Sequence, residues 1–186
     1  MRKVFQYGGI VASIILIAFG IGAVYMGIDG RSQVRSDLRA EQIVGTDDST
    51  IPGQLVDTGS EAQAFATVIR THTLEATGGQ TYSEMGRFIG KDSKPTNDES
   101  AAAINEETGK PVENGLRNMW ITATALTTAL NTAYFAEQVA TFAIVMGIAL
   151  LLAGLGFGVL TLRALMPADK REGSGAQAAS AAVASA

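Results

Sequence analysis

QVATFAIVMGIALLLAGLGFGVLTL, residues 138–162, decides the architecture: 25 consecutive residues without a charged side chain. A helix that crosses a bilayer needs about 20 mostly apolar residues, each rising about 1.5 Å. Immediately before the stretch stands Glu137, the single charge between Arg117 and Arg163. Further back, NMWITATALTTALNTAYFA (118–136) carries five threonines and two asparagines, so it is more polar. Two spans in this region would need a turn, yet neither Gly nor Pro occurs from Asn118 to Met146. One continuous helix over 115–163 is therefore expected. At about 1.5 Å per residue it exceeds roughly 70 Å, so its first part must project beyond the bilayer core.

A second uncharged run, VFQYGGIVASIILIAFGIGAVYMGI (4–28), lies between Lys3 and Asp29. A signal peptide has an apolar stretch of roughly 7–15 residues followed by a small-x-small cleavage site. This run is longer, and GAVYMGIDG offers no such site, so a retained span is expected. The chain has no cysteine, which excludes a lipid-modified cysteine anchor and any disulfide.

The expected fold class is thus an all-α membrane protein with two transmembrane helices continuing into an extracytoplasmic helical domain. The segments read as a cytoplasmic N-terminus (1–3), a first span (4–28), an extracytoplasmic domain (29–137), a second span (138–162) and a disordered cytoplasmic tail (163–186). Orientation rests on charge. The ends carry Arg2, Lys3, Arg163, Lys170 and Arg171 against Asp169 and Glu172, a net of +3. Residues 29–136 hold nine Lys and Arg against fifteen Asp and Glu, a net of −6. Positive residues beside spans favour the cytoplasm, although Arg31, Arg35 and Arg39 weigh the other way. The expected location is the inner (cytoplasmic) membrane, with both termini cytoplasmic. The tail PADKREGSGAQAASAAVASA has almost nothing large to bury.

Between the spans, DGRSQVRSDLRAEQIVGTDD continues the first helix to about Ile43. Val34, Leu38 and Gln42 share one side; Arg31, Arg35 and Arg39 form another stripe. GTDDSTIPGQLVDTG (45–59) breaks regular structure. Asp47, Asp48 and Asp57 lack the ordered spacing of a calcium loop, so they read as solvated. SEAQAFATVIRTHTLEATGG reads as a helix with Ser60 and Gln63 as capping box and Gly78–Gly79 as stop. Ala62, Phe65, Ile69, His72 and Ala76 recur every three or four residues, placing His72 on the apolar face. Thr81-x-x-Glu84 opens a short helix through Tyr82, Met85 and Phe88. In 90–115, acidic and punctuated by Gly and Pro, a short helix from Asn97 to Ile104 is capped by Thr96 with Glu99. Asp98, Glu99, Glu106 and Glu107 read as solvated surface.

His72 is the only histidine. A lone imidazole on a helix face is most often a packed, hydrogen-bonded side chain. With an ordinary pKa near 6.5 it also suits pH sensing or partner contact. Catalysis would require a nucleophile beside it, which sequence does not reveal. No phosphate-binding loop, nucleic-acid patch or nucleophile motif occurs. The glycines of GLGFG follow no strand, and Gly154 with Gly158 form a GxxxG pair suited to helix packing.

DGRSQVRSDLRAEQIVGTDD, HTLEATGGQTYSEMGRF and ALTTALNTAYFAEQVA resemble a group of uncharacterised two-span membrane proteins of actinobacteria. The likeness covers roughly residues 1–165, with HTLEATGGQTY its most specific part. Relatives sometimes bear the label "aromatic ring-opening dioxygenase". The resemblance implies a bacterial inner-membrane setting and no established activity. An extradiol iron site takes two histidines and a carboxylate, and this chain has one histidine.

The function expected from these residues is non-enzymatic: a binding, scaffold or accessory protein acting through its outer helical domain. A homo-oligomeric channel or transporter component is the alternative, and an envelope enzyme a third reading. No catalytic residue, cofactor or metal is expected. The expected partners are the lipid bilayer, its own copies or another membrane protein, without nucleic acid. The candidate interaction or structural residues are His72, Arg31, Arg35, Arg39, Glu137, Gly154 and Gly158. Arg31 and Glu137 flank the two spans on the same side, and a pair is better placed there than either charge alone. Setting them opposite makes facing numbers sum to 168, since 31 and 137 do. Val34 then faces Tyr134 and Leu38 faces Leu130. Ile21, Ile14 and Ile10 face Gly147, Gly154 and Gly158.

Overall fold

Helix α3, Gly115–Leu165, runs unbroken for 51 residues. The lack of Gly and Pro from Asn118 to Met146 is the local cause. Helix α1, Arg2–Ala40, runs for 39. In this computed structural model residues 2–165 are described, with side chains from Tyr7 to Arg163. The expected N-terminal end (1–3) and tail (163–186) lie largely outside those limits, except that α3 continues through Arg163 to Leu165. The fold is mostly helical, 66% helix, which agrees with an α-helical class despite one small hairpin. Both α1 and α3 are long and apolar enough to cross a membrane.

The chain forms two units. One comprises the described residues up to Asp29 and from Ala140 onward; the other is Gly30–Val139.

In the first unit α1 and α3 pair antiparallel, and the buried positions are small. Ser13, Gly20 and Gly27 on α1, and Ala140, Gly147 and Gly154 on α3, are buried at intervals of seven residues. The close approach needs glycine: a Cβ on Gly20 would lie 2.8 Å from the Gly147 carbonyl oxygen, and the reverse distance is also 2.8 Å. Ser13 Oγ donates a hydrogen bond of 2.7 Å to the Gly154 carbonyl. A seven-residue seam is the spacing of a left-handed crossing. The isoleucine expectation is corrected here. Ile21 and Ile14 are 58% and 61% exposed. The neighbours of Gly147 are Gly20 and Val24, those of Gly154 are Ser13 and Ile17, and Gly158 faces Ser13. Facing numbers therefore sum to 167 or 171, as 20 and 147, and 17 and 154, show. The contact face on α1 is rotated by one residue from the isoleucines, because the seam brings backbone to backbone.

The second unit has its own core. Leu38 of α1, Val56, Ala62 and Ala66 of α2 (Gly59–Ala76), and Leu130 of α3 are buried together. Val34, Ile43, Phe65, Ile69 and Ala133 pack around them. α1 ends at Ala40, before the expected Ile43, and Gln42 takes a left-handed backbone with φ 53°. Strands β1 (Phe88–Ile89) and β2 (Pro95–Thr96) pair antiparallel, Phe88 opposite Thr96. The hairpin was not expected, and the helix expected over Asn97–Ile104 is one 3-10 turn, Glu99–Ala101, capped by Asp98. Half of the Thr81–Glu84 capping motif forms: Thr81 N–H donates to Glu84 Oε2 at 2.7 Å, but Thr81 Oγ1 donates there too, and the Glu84 N–H donates to the Thr81 carbonyl. It closes a single turn in place of the expected short helix. Met85 and Phe88 are buried beyond it, beside Asn114, whose Nδ2 donates to the Gly86 carbonyl at 2.9 Å.

Candidate functional site

Helical geometry puts Arg31, Arg35 and Arg39 on one stripe of α1, one turn apart. Two converge on one carboxylate. Arg31 Nε donates to Glu137 Oε1 at 2.9 Å, and Arg35 does so through Nε at 2.8 Å and its terminal nitrogen at 2.7 Å. The other oxygen, Oε2, accepts the backbone N–H of Gly59 at 2.5 Å. Gly59 opens α2, where the first N–H groups have no partner within the helix and the dipole favours negative charge. Glu137 of α3 therefore ties α1 to α2. A side chain at Gly59 would collide: its Cβ would sit 2.9 Å from Tyr134 Cα.

Arg39 turns instead to Asp57, donating to Oδ2 at 2.7 Å. Next to it Thr58 caps α2: Glu61 N–H donates to Thr58 Oγ1 at 3.3 Å, and Thr58 N–H donates to Glu61 Oε2 at 2.9 Å. This box replaces the expected Ser60–Gln63 pair, two residues upstream: Thr58 is still extended, with φ −127° and ψ 158°, and the helix begins at Gly59.

Burial works to raise the Glu137 carboxyl. The Gly59 N–H, Arg35 and Arg31 outweigh it and hold the group below its ordinary 4.5. Both of its oxygens already accept hydrogen bonds, so near neutral pH it is a fixed anion and a poor proton acceptor. The cluster's chemistry is attachment.

His72 is elsewhere and not on the apolar face. Its side chain is 48% exposed, and Nε2 lies 2.5 Å from Asp48 Oδ2. The buried positions of α2 are Gly59, Ala62, Ala66 and Thr73; of the expected stripe, Ala62 is buried and Phe65 and Ile69 pack against the core, while His72 and Ala76 are exposed. Thr46 first, then His72, hold the exposed Asp48 carboxyl below its ordinary range. Gly154 and Gly158 lie in the apolar helix pair, against Ser13 and Ile17. Among the described residues no group of three His, Asp or Glu is arranged to hold a metal ion.

Beside the arginine stripe of α1, the second unit carries an apolar groove of about 720 Å³. Leu38 and Leu130 form its floor; Val34, Phe65, Ile69 and Ala133 form its walls. Asp37 and Glu41 are the charged residues along it. Sequence reasoning missed the groove, the role of Gly59 and the seven-residue seam. The seam had a readable signal, since Ser13, Gly20, Gly27 and Ala140, Gly147, Gly154 repeat every seven residues. The groove had none, because its walls come from three separate helices.

The chain matches no known protein family, no curated protein and no solved structure.

Proposed function

We propose that the chain is an integral protein of the cytoplasmic membrane, crossing it twice with both termini inside, and that its 30–139 unit works outside by binding. One observation carries this reading. In the most apolar window of each long helix only 11% of the residues are buried by the protein itself. Tyr7, Phe19, Phe142 and Leu152 are among the large apolar side chains left uncovered. Apolar area left in water is unfavourable by about 25 cal/mol per Å², and lipid removes that cost. The net positive ends and net negative middle support the orientation. The groove supports binding, since ligand pockets are mostly apolar clefts of this size class. Against an ion channel stands the lack of Asp, Glu, Lys and Arg over 4–28 and 138–162, where ion pathways usually carry them.

Cysteines placed singly at Ser93 and Ser180 test the topology. An impermeant thiol reagent added to intact cells should label Ser93→Cys and leave Ser180→Cys unlabelled until the membrane is opened. Labelling of both from outside, or release of the protein by alkaline carbonate, would overturn the reading.

A further inference from the structure

We propose that the groove of the 30–139 unit holds a single-chain cationic amphiphile, with its hydrocarbon between the three helices and its ammonium at Asp37 and Glu41. This rests on the reading that the unit works by binding, and it names the ligand class.

The shape argues for one apolar chain. At about 720 Å³ the groove lies well inside the roughly 300–1,000 Å³ of small-ligand sites. The floor and walls are Leu, Val, Ile, Phe and Ala.

Charge fixes the head group. Asp37 and Glu41 stand one turn apart at the C-terminal end of α1, both exposed. Neither takes part in an ion pair or a side-chain hydrogen bond among the described residues. Like charges four apart repel, and a helix C-terminus adds partial negative charge, so both favour a cation. Among the described residues no Lys, Arg or His lines the groove. The arginines of α1 lie on the other stripe, committed to Glu137 and Asp57. An anionic head group would meet two carboxylates and no donor cation.

The two properties are also separated along the groove. α1 and α3 run antiparallel in this unit, since Arg31 meets Glu137 while Leu38 and Leu130 share the core. Glu41 therefore lies toward the Leu126 end and Asp37 beside the Leu38–Leu130 floor, while the end at Val34, Ala133 and Ala136 carries no charge. That polarity suits a molecule with one charged and one hydrocarbon end.

The test uses the full chain in phosphatidylcholine nanodiscs and octylamine bearing a photoreactive diazirine at the chain end, a length that matches the rise from Glu41 to Val34. Octanol and octanoic acid with the same diazirine are the comparisons, and adducts are mapped by mass spectrometry. The amine should label residues near Val34, Ala133 and Ala136, well above the alcohol and the acid. Asp37→Asn with Glu41→Gln should cut the amine yield about fivefold and leave the alcohol unchanged, the size expected for two exposed charge contacts. Ala129→Trp, an exposed position on the groove wall, should block all three probes. These are surface changes, so unaltered circular dichroism should accompany them. Equal labelling by the three probes, or indifference to the double substitution, would overturn the proposal. So would a dimer that Ala129→Trp dissolves in place of any amine adduct, which would assign the groove to a second copy. Opposite-side labelling of Ser93 and Ser180 stands apart from all of these, so failure of the ligand leaves the membrane reading intact.

Discussion

α1 and α3 meet twice, by opposite means. In the apolar pair they meet where side chains are missing, and Gly20 lies against Gly147 with room for no Cβ. In the 30–139 unit they meet through long side chains, two guanidiniums on one carboxylate, with α2 drawn in by its first N–H. The difference follows from what each contact must accomplish. In the proposed membrane setting helices gain nothing from burying leucine, and close backbone packing with a hydrogen bond such as Ser13 to Gly154 holds them. In water, hydrophobic burial supplies a core, while a charged cluster fixes register and a third helix.

Glu137→Ala should do the most damage. It removes a buried acceptor shared by three donors, and breaking a buried pair costs about 3–5 kcal/mol. Arg31 and Arg35 are 43% and 37% exposed, so water recovers part of that and about 2–3 kcal/mol is expected. Thermal melting of the full chain, followed by circular dichroism, reads it. A loss no larger than that of an exposed Thr→Ala control would show that the cluster is decoration.

Gly147→Val should come next, at about 1–3 kcal/mol, the usual penalty for overpacking. Its Cβ would press on the Gly20 carbonyl and Val24 at 2.7–2.8 Å. Gly22→Val, with nothing within 4 Å, should be close to neutral. Cross-linking efficiency between cysteines on the two helices distinguishes the pair. Equal effects would remove the distinction drawn between the two meeting places.

Acid should act on the charged contact and spare the glycine seam. Because the folded Glu137 lies below its ordinary 4.5, its stabilisation is complete above that value and is lost as pH falls through the lowered one. Melting temperature should fall below about pH 4.5, and the Glu137→Gln variant should show a flatter profile.

His72→Ala should have the smallest effect. The imidazole is half exposed and its partner Asp48 is exposed, so a melting temperature near that of the unaltered chain is expected. A large drop would mean the histidine packs as the sequence periodicity implied.

That periodicity marks where sequence reading stopped working. Lengths and absences were legible: 25 uncharged residues, and no helix breaker from Asn118 to Met146, leave little freedom. The Arg31–Glu137 pairing was legible because charges beside apolar runs are few. Phase was not. α2 buries Ala62, Ala66 and Thr73, and its larger Phe65 and Ile69 flank that line, so reading by size rotated the face and carried His72 inward. The hairpin was invisible because two-residue strands show no alternation and Pro95 reads as loop.

Glu137 is 106 residues from Arg31 and 78 from Gly59. A ribosome makes α1, the capping box and the hairpin before it reaches the carboxylate they await. Chains fold as they emerge, and closing a loop of this length costs entropy before any contact rewards it. Assembly of the 30–139 unit is therefore timed by α3. A nascent chain stalled after Ala136 has Thr58 and Glu61 to cap α2, yet Arg31 and Arg35 stand without their anion. The residue that finishes the 30–139 unit is the last one made before the second apolar segment, so completing the one and beginning the other fall in the same moment of synthesis.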